Sequence, residues 1–272
     1  MMMNVDQIYN AVTEAVQAKF GAFEAECAVV LGSGLGDFVD QITESDYLNY
    51  SDIPFFKKTT VQGHAGRLCV GLFQGQPIVC LQGRPHWYEG VTAEVYIALI
   101  AAVKACGVKT LVVTNAVGGI RSDLTVGDVV LIEDHINLQG RHPLVGLTPP
   151  PFISMDSAYD VELREQFIQL AQAEQLPLKK GVYCGVLGPS FETPAEIQAF
   201  KSMGADLVAM SMIPEVLTAR YFELRVLGLS IVSNPAAGLS QQTLGHDVTL
   251  AGVQKGSKQL LQLLTAFVKG KE

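Results

Sequence analysis

Short apolar runs that stop abruptly at glycine and polar residues constrain this chain more than any other feature. Cys27–Leu31 runs into Gly32-Ser33-Gly34-Leu35-Gly36, and residues 77–81 lead to Gly83-Arg84-Pro85-His86-Trp87-Tyr88-Glu89-Gly90. Residues 110–114 end at Thr114-Asn115-Ala116-Val117-Gly118-Gly119, 181–187 at Gly188-Pro189-Ser190-Phe191-Glu192-Thr193-Pro194, 206–210 at Met210-Ser211-Met212, and 225–233 at Ser233-Asn234-Pro235. Runs of this length without polar alternation suit strands covered on both faces. Between them lie segments of helical period: 5–20 with Val5, Ile8, Val12 and Val16; a largely apolar 94–106; 158–174 with Leu163, Phe167, Leu170 and Ala171; a helix after Pro214; and 246–268 with Val253, Leu260, Leu264 and Phe267. Alternation of buried strands with amphipathic helices predicts an α/β fold. Arg67–Phe73 and 77–81, split by Gln74-Gly75-Gln76, predict a hairpin and so a mixed sheet. Residues 128–132 read as another buried strand, and the proline-rich 141–153 as a loop. Polar clusters lie on both sides of that loop, so one domain over 1–272 is expected.

The balance of 19 basic against 27 acidic residues, net −8, disfavours a sequence-independent nucleic-acid binder, which needs cations to neutralise phosphates. With 49% hydrophobic and 17% charged residues the chain is no disordered segment. No apolar run approaches the roughly 18 residues of a membrane span, and no basic start precedes an apolar stretch as in a secretory signal. Five cysteines, none closer than eleven residues to the next, fit neither a disulfide framework nor a zinc motif. A reduced, cytoplasmic protein is expected, with Cys27, Cys69 and Cys80 as small core residues.

Ligands of open α/β sheets bind just beyond the carboxyl ends of strands. That rule makes the clusters above candidates for one pocket. Gly32-Ser33-Gly34-Leu35-Gly36 fits an anion cradle or a plain tight turn. It lacks the third glycine of a dinucleotide fingerprint, since Asp37 stands there, and no Gly-Lys-Ser/Thr follows. Arg84 carries a planar fork suited to phosphate, and His86 a second donor. His64, between glycines in Gly63-His64-Ala65-Gly66, fits a solvated loop residue or a ligand-facing one. Thr193 and Glu196 read as a capping box, which leaves Glu192 without a local structural role. Pro235 holds Asn234 extended and fixes the direction of its carboxamide.

Taken in order, these segments resemble the purine nucleoside phosphorylases of the low-molecular-mass, trimer-forming type. The similarity runs from Leu31 to His246 and includes Met210-Ser211-Met212-Ile213-Pro214-Glu215-Val216. The resemblance implies a single domain with a mixed, partly barrel-like sheet flanked by helices. It implies phosphorolysis of a purine nucleoside to free base and ribose 1-phosphate, with phosphate as co-substrate and no metal or organic cofactor. It assigns phosphate to Ser33, His64, Arg84, His86, the backbone of Ala116, and Ser211. The ribose falls to Tyr88, Met210 and His246, and the base to Phe191, Glu192 and Asn234, with Glu89 and Asn115 supporting. Asn234, Glu192 and His86 carry the catalytic roles. It further implies a homotrimer. Phe152 is the best match for a phenylalanine that reaches a neighbouring subunit's site, although the preceding Thr148-Pro149-Pro150-Pro151 is shorter and more proline-rich than the family's loop.

The implied chemistry suits the residues. Glycosidic cleavage leaves positive charge on the sugar and negative charge on the purine, and both need preorganised partners. Phosphate is itself the partner of the cationic sugar, so no enzyme nucleophile is required. Asn234 can donate to N7 of the leaving base. Glu192 as a carboxylate accepts from N1–H of a 6-oxopurine and repels the N1 lone pair of adenine. Inosine, guanosine and their 2′-deoxy forms are the expected substrates, with xanthosine third. The competing readings are a nucleosidase, which has little use for Arg84, His86 and Ser33 together; a methylthioadenosine phosphorylase, disfavoured by Asn234; a nucleoside-binding protein without turnover; and a dinucleotide oxidoreductase.

Overall fold

The computed structural model describes residues 4–32, 34–56, 65–241 and 244–270. Ser33 and His64 therefore lie outside the described residues. A nine-stranded mixed sheet runs in the order β2-β3-β4-β1-β5-β8-β7-β6-β9, and β9 also pairs with β5. The strands are β1 Cys27–Leu31, β2 Ile42–Asn49, β3 Arg67–Phe73, β4 Gln76–Gln82, β5 Thr110–Gly119, β6 Val129–Leu138, β7 Lys179–Val186, β8 Leu207–Ala209 and β9 Arg225–Pro235. The β5–β9 pairing closes β5, β8, β7, β6 and β9 into a ring, so part of the sheet is a barrel. The expected mixed, partly barrel-like architecture is the one observed.

The helices are α1 Val5–Phe20, α2 Ala93–Ala105, α3 Val161–Ala173, α4 Pro194–Ser202, α5 Ile213–Tyr221 and α6 His246–Lys269. One apolar layer joins α1, α2 and α5 to the sheet, through Val12, Ile97 and Val216 among others. A second layer, on the opposite side, packs Phe167 of α3 and Leu260, Leu264 and Phe267 of α6. Helix α1 starts where the Asn4 side chain accepts from the Gln7 N–H at 3.1 Å, and buries Ile8, Val12 and Val16. Helix α2 is buried on all sides from Val95 to Val103, which explains its nearly unbroken apolar run. The β3–β4 hairpin turns through Gln74 and Gly75, both at positive φ, the conformation that matches strand twist in a tight hairpin. All five cysteines are buried free thiols, and no described helix is long and apolar enough to cross a membrane.

Two sequence expectations need correction. Residues 115–119 read as a loop after a short strand, but β5 continues through Gly119. Its second half is held by β9 across a register shift at Val117/Gly118 and by β8 on the other side. Asn115 and Ala116 are thus strand residues, fixed by the sheet. Strand β2 went unread: only Ile42 and Leu48 are buried along it, and a register shift against β3 between Thr43 and Asp46 breaks the alternation.

Candidate active site

The ends of β1, β4, β5, β7, β8 and β9 converge on a cavity of about 370 Å³. Its wall includes Arg84, His86, Tyr88, Asn115, Ala116, Phe191, Glu192, Met210, Ser211, Asn234 and His246. These residues span 163 positions of sequence and meet only through the sheet. Glu89 stands behind His86. Phe152 is 97% exposed and lies outside this wall.

One end of the cavity is cationic and tightly packed. Arg84 is 1% exposed. Its Nη2 donates to the Thr114 carbonyl at 2.5 Å, midway along β5, and to the Val30 carbonyl at 3.3 Å, near the end of β1. Its Nε lies 3.3 Å from Oε1 of the buried Glu215. Gly32 is required here by the neighbouring strand: a Cβ would stand 2.8 Å from the Asn115 Cα and 2.9 Å from the Thr114 carbonyl. The Gly32 N–H instead donates to Thr114 Oγ1 at 3.2 Å, and the Thr114 hydroxyl donates to the Val30 carbonyl at 2.8 Å. His86 precedes a short 3₁₀ turn. Glu89 Oε1 accepts from the His86 backbone N–H at 2.9 Å and lies 3.1 Å from Nδ1. One carboxylate therefore fixes both backbone and ring, and the ring stacks on Tyr88 at 4.7 Å. Burial pushes the Tyr88 phenol up to about 12, so it is a neutral hydroxyl at physiological pH.

Ser211 is set by a network that the sequence did not disclose. Asn115 Nδ2 donates to Ser211 Oγ at 3.2 Å, and Asn115 Oδ1 accepts from Ser230 Oγ at 2.6 Å. The Tyr183 hydroxyl donates to the Ser211 carbonyl at 2.8 Å and accepts from the Ser211 N–H at 3.2 Å. Met212 sits at φ +70°, unusual for a residue with a side chain, and turns the chain from Ser211 into α5. Gln139 donates to the Met210 carbonyl at 3.2 Å. Gly188, at φ +70°, leaves the room that the Met210 thioether fills.

The other end is more open. Phe191 is 40% exposed. Glu192 is half-buried, and burial raises its carboxyl above the ordinary glutamate range, with Glu196 adding to the rise. Thr193 and Glu196 do form the expected capping box at the start of α4, so Glu192 stands just outside that helix. Asn234 is buried within β9. Its Oδ1 lies 2.7 Å from the Ser233 hydroxyl and its Nδ2 donates to the Pro235 carbonyl at 2.8 Å. The amide is thereby oriented, and Nδ2 carries a second hydrogen. Among the described residues no group of three or more His, Cys, Asp or Glu is arranged to hold a metal ion.

The model of the phosphorylase superfamily matches residues 26–269. Purine nucleoside phosphorylase 1 of Bacillus subtilis is 43% identical over 244 residues, covering 88% of this chain and 90% of the relative. The chain belongs to the purine nucleoside phosphorylase family. The crystal structure of the Schistosoma mansoni purine nucleoside phosphorylase in complex with inosine superposes on this phosphorylase with a TM-score of 0.89 at 31% identity. It covers 98% of this chain and 97% of that one. The Schistosoma mansoni enzyme in complex with adenosine gives 0.87 and 31%, over 100% and 99% of the two chains. In the present phosphorylase, Tyr183, Ser230, Gln139 and Glu215 are the polar residues around the cavity that sequence reasoning passed over. Tyr183, Ser230 and Glu215 lie inside largely apolar elements and Gln139 just past the end of β6, and only a polar side chain in or beside such an element hinted at them.

Proposed function

We propose that this enzyme catalyses the reversible phosphorolysis of 6-oxopurine ribonucleosides and 2′-deoxyribonucleosides, giving the free base and the sugar 1-phosphate. The observation that carries this reading is one cavity with Arg84 and His86 beside Ser211 at one end, and an opposite end formed by Glu192 and Asn234. Phosphate binds Arg84, His86, Ser211 and the Ala116 backbone, with Ser33 and His64 assigned by resemblance alone. Held there, it lies on one face of the sugar, a positioning effect that replaces a covalent nucleophile. Tyr88, Met210 and His246 contact the ribose. As the glycosidic bond lengthens, the phosphate oxygens face the cationic sugar, and the purine takes the electron pair. Asn234 Nδ2 donates to N7 and stabilises that charge. Glu192, ionised, accepts from N1–H, and Phe191 covers the base.

Discrimination follows from the same groups. A buried acceptor that finds no donor on the wrong base can reject it by roughly 10⁴–10⁵-fold. The fixed amide of Asn234 and the carboxylate of Glu192 both suit a 6-oxopurine. The adenosine complex of the Schistosoma mansoni enzyme makes this selectivity the sharpest point to test. No metal or organic cofactor takes part in this scheme. A homotrimer is part of the proposal, with the exposed Phe152 reaching a neighbouring site. Five buried free thiols fit a reducing, cytoplasmic setting.

The test is base release from inosine and guanosine with and without phosphate, with the sugar product identified by mass. Release only with phosphate, alongside ribose 1-phosphate, is expected. Equal release without phosphate, giving free ribose, makes the enzyme a nucleosidase and removes the role given to Arg84.

A further inference from the structure

Glu215 takes no part in the chemistry above, yet it is one of the most buried charged residues, at 1% exposure. It sits in the first turn of α5, beside the Nε of Arg84, whose Nη2 donates to the Thr114 and Val30 carbonyls. Among the described residues neither carboxylate oxygen has a hydrogen-bond partner. Its ion-pair partner is Arg84, Nε to Oε1 at 3.3 Å. Around it lie buried phenols: its charge acts on Tyr50, Tyr96, Tyr159 and Tyr183, helping burial to keep each of them protonated. A desolvated carboxylate that accepts no hydrogen bond among the described residues is a poor way to stabilise a core, since apolar residues of similar volume often do as well as or better than a buried ion pair. A carboxylate in this position calls for another reason.

We propose that Glu215 is a positioning residue for phosphate turnover: its carboxylate holds the Arg84 guanidinium by the Nε edge and cancels its charge until an anion arrives. The inference rests on the reading that Arg84 takes phosphate. The two strand carbonyls engage Nη2 and the carboxylate faces Nε, so the plane of the fork is set from two sides. The carboxylate stays behind the arginine when phosphate binds and repels it through a medium of low dielectric. The anion is therefore held less tightly than a lone buried arginine would hold it. For a reversible reaction in which phosphate enters and a sugar phosphate leaves, that weakening favours turnover over storage. The neighbouring His86 also faces a carboxylate, with Glu89 set 3.1 Å from its Nδ1.

Glu215→Gln separates charge from shape, because the amide fills nearly the same volume beside Nε without the charge. Calorimetric titration of the intact variant with inorganic phosphate should show affinity at least about tenfold tighter than wild type. In turnover the KM for phosphate should fall by a similar factor and kcat should fall with slower product release, while the KM for inosine stays within about twofold. A merely structural glutamate would lower the melting temperature and move both KM values together, leaving phosphate affinity unchanged or weaker, and that result overturns the proposal. Should the variant fail to fold, Arg84→Gln combined with Glu215→Gln decides the matter: the doubly neutral protein should melt higher than Arg84→Gln alone, and a double variant no more stable than that single one overturns the pairing. Calorimetry needs no catalysis. A wild type that binds phosphate but releases base without consuming it would sink the phosphorylase reading and leave the Glu215 test standing.

Discussion

The two ends of the cavity are built on different plans. At the arginine end the described polar groups are anchored: Arg84 and Ser211 by the sheet, through the carbonyls of Thr114 and Val30 and the side chains of Asn115 and Tyr183, and His86 by Glu89 of the turn that follows it. Arg84 and Asn115 are nearly inaccessible. At the glutamate end, Phe191 and Glu192 stand on the connection between β7 and α4, more exposed, and only Asn234 is strand-held. The contrast matches what each ligand asks for. A phosphate is the same in every turnover and suits a rigid, prepaid geometry. Purines differ at their edges, and a looser segment that reads those edges can adjust without disturbing the reacting centre.

Breaking the rigid end should cost most. Arg84→Met should lower kcat/KM by about 10³-fold or more, as for the loss of a preorganised donor. It should also destabilise the fold by about 3–5 kcal/mol, because Glu215 is left buried and unmatched. Steady-state kinetics with saturating inosine, beside a denaturant melt, measure both. A fall in activity without loss of stability would show that Glu215 finds another partner.

At the other end the largest effect belongs to its one strand-held member. Asn234→Asp should reduce kcat/KM for inosine by about 10²-fold and raise the adenosine-to-inosine ratio, since a carboxylate favours a 6-amino group. An unchanged ratio removes Asn234 from base recognition. Glu192→Gln should cost less, about 10–100-fold on inosine, the worth of a hydrogen bond to a charged group. Its pH signature is separate. Burial raises the Glu192 pKa, so as pH falls the group takes up its proton earlier than an ordinary glutamate does. The acid limb of kcat/KM for inosine should therefore lie above the usual glutamate range in wild type and be lost in the Gln variant. The smallest effect is expected at Ser230→Ala, which removes the 2.6 Å bond to Asn115 Oδ1. About fivefold in the KM for phosphate, with the KM for inosine steady, would show that the network acts on the rigid end alone.

The same contrast governs what could be read from the amino acids. The loop-borne and strand-end residues announced themselves: Arg84 and His86 in a dense polar octet, Glu192 beside a capping box, Asn234 before a proline. The element pattern was legible as well, because buried strands and helical stripes differ in period, and α1 and α6 start where the pattern says. The anchors of the rigid end were not legible. Tyr183 and Ser230 are ordinary strand residues until the sheet carries them to Asn115, 68 and 115 positions away. Glu215 follows a proline in a helix start, where an acidic residue passes for a favourable helix-end charge. Strand β2 was missed for the opposite reason: as a sheet edge with two buried side chains, it carries little hydrophobic pattern to detect. Residues 115–119 were misjudged because small residues and paired glycines suggest a bend, whereas two neighbouring strands hold them straight.

Strand β9 has a further consequence for how the molecule comes into being. It closes the barrel against β5 and β6 and delivers Asn234, while His246 waits at the start of the helix that follows. A chain emerging from synthesis can lay down β1 to β5 and their helices, but it owns no complete site until β9 has been laid against β5, a strand more than a hundred residues older, and the helix after it has been made. Catalysis is thus an assay for the final, longest-range step of folding. A protein halted one strand short would keep most of its secondary structure and turn over nothing.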